Sequence, residues 1–291
     1  MSEERVCTVE EAIKAKSYNK KHGKTIKVTN DFVKMMDEAL PCALKVLKKR
    51  QHDLAKWGGD EQDDFYEIMG VRGDVPIENT FYICDIENED TYSPSAKDAT
   101  TVVEFMRKAV DRMYAIMSKL HTDPNRVEVP PKDPCVPELG AVPDKTVYKY
   151  GNFVNRTYTN EYSAFVERTA TWHCTPEQYR EKLEINIGYN FCKKKLMGPD
   201  SKVSTLCHEV SHFHRVERKN EIWNSEQEKA NSRGPWGGVG TDDLPNDGDH
   251  KNDDKYIQHR EKLKGAHSLE VFENSYNFEL YFELTNQECD I

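Results

Sequence analysis

The sequence predicts an α+β fold, mainly helical, with an N-terminal extension ahead of its principal domain. Three observations predict it. Apolar residues recur at helical spacing in several separate segments. The β-prone runs are few and short. A proline-rich stretch over 124–143, with Pro124, Pro130, Pro131, Pro134, Pro137 and Pro143, can hold neither a helix nor a central strand.

The elements follow in order. Phe32, Met35, Met36, Ala39, Leu40, Ala43, Leu44 and Leu47 predict a helix from Asn30 to Trp57, kinked or split at Pro41. Gly58, Gly59, Gly70, Gly73 and Pro76 make 58–94 read as irregular, apart from a short strand at Thr80–Asp85. Ser95 followed by Asp98 reads as a helix start. Val102, Val103, Met106, Val110, Met113, Ile116, Met117 and Leu120 then form a stripe expected in the core, and His121 closes that helix. Helices are expected at Glu161–Arg168 and Pro176–Lys182. Leu183–Ile187 alternates as a half-buried strand does. A helix over Ser201–Glu217, a Gly-rich loop over 231–250 and an amphipathic helix over Ala266–Leu284 complete the chain.

Composition narrows the function. The net charge of −10 over 291 residues excludes a general nucleic-acid binder, because phosphate binding needs clustered Lys and Arg. The basic run Lys45–Arg50 reads as a solvated helix face. No stretch approaches the roughly 20 apolar residues of a membrane span. Met1–Arg5 has no apolar segment behind it, so no classical signal peptide is expected. The expected location is the cytoplasm as made, with export by a non-classical route. Eight cysteines without a CxxC pair suggest neither a zinc ribbon nor a disulfide scaffold.

The chemistry concentrates in His208-Glu209-Val210-Ser211-His212. Residues four apart share a helix face, so His208 and His212 can aim a ring nitrogen at one ion. Zinc takes imidazole nitrogen readily, and its catalytic sites use three protein ligands and leave a position for water. Glu209 stands beside the first His, placed to take a proton from that water. The competing reading is two surface histidines on an ordinary helix. Cys207 falls on another face and is expected to be a buried thiol, and His214 points away from the ligand face. Third-ligand candidates downstream are Glu217, Glu221, Glu226, Glu228, Asp242 and Asp243. Glu221 follows His212 too closely for a helix, a turn and an antiparallel return.

Thr205–Phe213 followed by Gly240-Thr241-Asp242-Asp243 resembles the aspzincin metallopeptidases, the deuterolysin and lysine-specific metalloendopeptidase family. That family's pattern is HExxH followed by GTxDxxYG. The resemblance covers roughly residues 95–291, including Tyr150-Gly151, Asn190-Phe191-Cys192 and Asn274–Glu279, and leaves 1–94 as an extension with a possible delivery or inhibitory role. It implies a zincin-like metallopeptidase domain holding one Zn2+ per chain through His208, His212 and Asp243. Glu209 becomes the general base, and a protein or peptide the substrate. The implied function is a zinc-dependent endopeptidase, and a toxin-like effector role is the accompanying expectation. The alternatives are a catalytically impaired metal-binding module and a zinc hydrolase of a non-peptide amide. It also implies a Cys174–Cys192 disulfide, against the alternative of two reduced thiols.

Two positions depart from the pattern. Asn246 stands where the family has Tyr, which leaves the oxyanion donor open, with Tyr256 and His250 as candidates. Tyr276 and Glu279 stand where lysine-specific members have an Asp–Glu pair, and by resemblance Glu279 contacts a basic substrate side chain. Leu183–Ile187 is expected to be the edge strand along which a substrate pairs, and the 231–250 loop a lid.

Overall fold

The computed structural model describes residues 30–77, 101–120, 122, 148–156, 162–166, 183–213, 239–246 and 253–285. Helices dominate, with one small mixed sheet. Helix α1 spans Asn30–Lys56, α2 Gly59–Met69 and α3 Val102–Met117. Strands β1 (Tyr148–Tyr150), β2 (Phe153–Arg156), β3 (Ala164–Val166) and β4 (Ile185–Gly188) follow. Then come α4 (Tyr189–Lys193), α5 (Lys202–Ser211), α6 (Asp253–Gly265), a 3-10 turn at Leu269–Phe272, and α7 (Ser275–Tyr281). No described helix is long and apolar enough to cross a membrane.

One continuous core runs through all of this. Phe32, Met36, Leu40, Val46, Leu47 and Leu54 of α1 belong to the same buried cluster as Val203, Leu206 and Val210 of α5 and Phe278 of α7. The stripe on α3 is buried throughout, as its spacing predicts. Helices α1 and α2 pack within the body that carries the motif helix. Residues 1–29 and 78–94 of the expected extension lie outside the described residues.

Several elements differ from expectation, each for a local reason. Helix α1 runs on through Pro41, whose ring sits on the exposed side. Gly58 and Gly70 are caps of a helix, not the bounds of an irregular segment. Gly58 N–H donates to Glu61 Oε2 at 2.9 Å, and Gly70, at φ 73°, ends α2 in the left-handed region that glycine tolerates. A Cβ at Gly70 would also meet the Lys264 carbonyl oxygen at 2.3 Å. The cap of α3 is Thr101, whose N–H donates to Glu104 Oε2 at 3.1 Å, so the helix starts later than Ser95. The helix expected at Glu161–Arg168 contains β3 instead, because Ala164–Val166 pairs antiparallel with β4. The C-terminal helix is broken at His267 (φ 53°) and recapped at Ser268 and Asn274. The strand expected at Thr80–Asp85, the helix expected at Pro176–Lys182 and His121 lie outside the described residues.

The sheet order is β1-β2-β4-β3. Strands β1 and β2 form a hairpin turned at Gly151 (φ 59°), and β2 runs parallel to β4. Strand β4 is thus interior, with neighbours on both sides and all four residues buried. The half-buried edge strand expected at Leu183–Ile187 is corrected accordingly. Among the described residues the outer strand on that side is β3.

Arg50, on α1, ties the fold together across 231 residues of chain. Its Nε donates to the Tyr281 carbonyl oxygen at 2.7 Å, at the end of α7, and its guanidinium lies 4.2 Å from the Tyr281 ring centroid. A second donor reaches Asp64 of α2 at 2.7 Å. The six large apolar side chains of α1 named above contribute on the order of 10 kcal/mol by burial, comparable with the whole net stability of a domain. A chain beginning at residue 95 is therefore expected to lose its cooperative thermal transition. A sharp melt of that truncated chain, followed by circular dichroism, would show that α1 is dispensable.

Candidate metal centre

The centre is built on α5. Ser201 caps the helix: its Oγ accepts from Ser204 N–H at 3.1 Å, while Ser201 N–H donates to Ser204 Oγ at 2.9 Å. Every residue from Val203 to Ser211 is buried, so the helix passes through the interior. It stops at Ser211, short of the expected Glu217. The segment Val239–Thr241 meets its end there. Gly240 and Thr241 N–H both donate to the Ser211 carbonyl, at 2.9 and 3.0 Å, filling an acceptor that a helix C-terminus leaves open. Gly240 has φ 74°, which explains a glycine at the first position of the Gly-Thr pair. Thr241 Oγ1 lies 2.5 Å from Ser211 Oγ.

That junction delivers the third donor of the candidate set. His208, His212 and Asp243 each offer one donor atom, all within 4.8 Å of one another. Asp243 Oδ1 lies 3.2 Å from His208 Nε2 and 3.4 Å from His212 Nε2. Tetrahedral zinc with bonds of about 2.0–2.1 Å holds its donors about 3.3 Å apart, so these two separations fit a zinc ligand set. The two rings stand nearly perpendicular, at 81° with centroids 4.8 Å apart. Both histidines are only 7% exposed, which rules out the surface-histidine reading.

Glu209 completes the arrangement. It is 3% exposed, and its Oε2 has no hydrogen-bond partner among the described residues. Burial pushes its carboxyl above the ordinary carboxylate range. Burial opposes the ionisation of Asp243 too, but hydrogen bonds from His208 and His212 hold its carboxyl far below that range. For His208, burial lowers the imidazole's proton affinity, and the bonds to Asp243 and Glu279 outweigh it, so the balance is strongly upward. Two buried carboxyl groups, Glu209 and Glu279, and the half-buried Asp243 thus lie around two imidazoles. Such an excess of negative charge in a low-dielectric interior favours a divalent cation.

The structure redistributes other residues singled out by sequence. Glu279 points inward. It is 8% exposed and lies within the protein, its Oε2 3.1 Å from His208 Nδ1 and its Oε1 accepting from Ser204 Oγ at 3.2 Å. Tyr256 is buried, its ring stacked on Tyr276 at 5.0 Å. The Tyr276 ring in turn stands nearly perpendicular to that of His208, with centroids 4.9 Å apart. Asn246 is exposed. His250, His214 and the acidic candidates Glu217, Glu221, Glu226 and Glu228 lie outside the described residues, as does most of the 231–250 loop. Asp242 serves the backbone: its N–H donates to the Glu273 carbonyl at 2.7 Å and its C=O accepts from Ser275 N–H at 3.0 Å.

Ser275 is the contributor that sequence reasoning passed over. Its Oγ donates to Asp243 Oδ1. A serine opening a helix four residues before a glutamate signals only a shared face, so nothing in the sequence tied it to Asp243. The cysteines divide between the two readings left open. Cys192 carries a free thiol, pushed up to about 11 by burial, so it forms no disulfide with Cys174. Cys42 is the disulfide-bonded one among the described cysteines. Cys207 is a free, fully buried thiol, as its helix position predicts.

No family model matches the chain, and no curated protein matches it. A solved zinc peptidase from Grifola frondosa is similar over 84% of this chain and 93% of that chain, at 12% identity and a TM-score of 0.30. At that level of superposition the neighbour decides neither fold nor activity, and the donor geometry is the stronger observation.

The geometry separates two adjacent aspartates. Asp243→Ala should weaken zinc binding by more than about 100-fold, since losing even an outer partner of a ligand costs 10–100-fold. Asp242→Ala should change it little. Equal losses in a competition titration with a chromogenic chelator would remove Asp243 from the ligand set.

Proposed function

We propose that this chain is a zinc-dependent endopeptidase that hydrolyses peptide bonds of protein substrates. The single observation that carries the reading is the His208–His212–Asp243 donor set, with both histidines buried, and the Glu209 carboxylate oxygen that has no partner among the described residues. A structural zinc site is closed by four protein donors, whereas three donors leave a position for chemistry. A zinc ion held there supplies Lewis acidity toward a water and a substrate carbonyl.

The chain's own groups do the rest. Glu209 Oε2 accepts one proton from the attacking water as the new carbon–oxygen bond forms. The same oxygen passes that proton to the departing amine nitrogen as the carbon–nitrogen bond breaks, so protons and charge balance. Burial raises the proton affinity of the Glu209 carboxyl, which favours its taking a proton from the water. Strand β3 adjoins the motif helix and is the outer strand of the sheet among the described residues, so it offers backbone groups for an extended peptide.

One observation favours a second reading, a metal-binding module with impaired catalysis. Asn246, where the resemblance has a tyrosine, is exposed, and Tyr256 is buried with its ring stacked on Tyr276. Casein hydrolysis with and without a chelator discriminates the two: zinc binding without chelator-sensitive cleavage selects the module.

For the endopeptidase, Glu209→Gln should keep one zinc per chain and the native melt while losing about 10²–10⁴-fold in turnover. Near wild-type cleavage by that variant, measured on a quenched fluorescent peptide, would remove Glu209 from the mechanism.

A further inference from the structure

An imidazole can give one nitrogen to a metal while the other carries its proton, so the group facing the second nitrogen sets the tautomer. His212 Nδ1 lies 2.9 Å from the Thr241 carbonyl oxygen. A carbonyl only accepts, so that nitrogen carries hydrogen and Nε2 is the donor atom on the side of Asp243. The counterpart for His208 is a carboxylate. Its Nδ1 lies 3.1 Å from Glu279 Oε2, and its Nε2 lies on the side of Asp243. The other Glu279 oxygen accepts from Ser204 Oγ. Both oxygens of Glu279 are thus committed inside the protein, and the side chain is 8% exposed.

We propose that Glu279 is a positioning residue for the metal centre. It holds His208 in the Nδ1–H tautomer with Nε2 facing the ion, and it is not an acceptor for a basic substrate side chain. The inference rests on the metal reading above and deepens it. The helix geometry supports the assignment. Ser275, one turn before Glu279 on the same face of α7, donates to Asp243 Oδ1, so one short helix holds two of the three ligands from behind. A carboxylate behind a ligating histidine raises the basicity of the ring and fixes its orientation. The carbonyl behind His212 fixes orientation without charge, so the two histidines are not equivalent, and His208 is the one whose donor strength depends on a distant acidic residue.

The test uses the full chain and two variants, Glu279→Ala and Glu279→Gln. Gln keeps an oxygen that accepts from Nδ1 but loses the charge. Zinc affinity, read by chelator competition, should fall about 10–100-fold in the Ala variant and by less in the Gln variant. Both should shift the visible absorption bands of the cobalt(II)-loaded chain, a signature that loss of stability alone would not produce. The share of cleavage sites at Lys and Arg should stay as in the wild type. Wild-type affinity and unchanged cobalt bands in the Gln variant overturn the proposal even if the Ala variant does not fold. So does a selective loss of cleavage at Lys and Arg sites. A chain that shows the affinity losses but cleaves no protein overturns the endopeptidase reading and leaves the role of Glu279 standing. A wild-type chain that binds no zinc overturns both.

Discussion

The seating of the C-terminal helix Ser275–Tyr281 against the motif helix Lys202–Ser211 is the constraint from which the metal centre follows. The two helices meet with charged side chains between them, in an interior where an unpaired charge costs several kcal/mol. That cost is met by specific pairing. Glu279 lies against His208 and Ser204, and Ser275 donates to Asp243. The segment carrying Asp243 is pinned on both flanks. Thr241 is bonded to Ser211 at the end of the motif helix, and Asp242 exchanges backbone bonds with Glu273 and Ser275. Remove the seating of α7 and the loop loses one flank, Asp243 loses its hydroxyl donor, and His208 loses the group behind its ring.

The same constraint explains why α1 belongs to the functional body. Helix α7 is short, at 7 residues, and a helix of that length is not stable by its own hydrogen bonds. It is held by what it packs on. Phe278 and Tyr281 enter the core shared with α1, and the guanidinium of Arg50 reaches the last carbonyl of the helix. A basic group at a helix C-terminus is favoured by the dipole and satisfies an open acceptor. The support of the ligands thus extends from the centre through α7 to a helix more than 150 residues away in sequence from the histidines.

Some of this was readable from local pattern. The stripe on Val102–Met117 and the spacing of His208 and His212 follow from the helical period, which any buried helix must obey. The capping pair Ser201–Ser204 and the left-handed Gly240 also follow from local chemistry once the segment ends are known. The glycines bounding α2 were misread because glycine serves equally as a breaker and as a cap, and only the side chain of Glu61 distinguishes the two uses. Ala164–Val166 forms a strand where local pattern predicts helix, because three residues carry too little periodicity to resist an available pairing partner, here β4.

By itself the sequence determined the helix of the candidate metal centre, its two histidines and the carboxylate of Glu209, because residues four and one apart have fixed relative directions on any α-helix. It determined the candidacy of Asp243 through the Gly-Thr element but not its place. Only the tertiary structure decided which carboxylates face the histidine rings, since Asp243 lies 31 residues beyond His212 and Glu279 lies 71 beyond His208. Periodicity carries no information across such separations. Which of many acidic residues ends beside a given imidazole depends on how the last helix seats in the core, and that depends on apolar packing contributed from both ends of the chain. The identity of Glu279 as an inward-facing group was settled there, by burial and by the two hydrogen-bonding partners it finds on the motif helix.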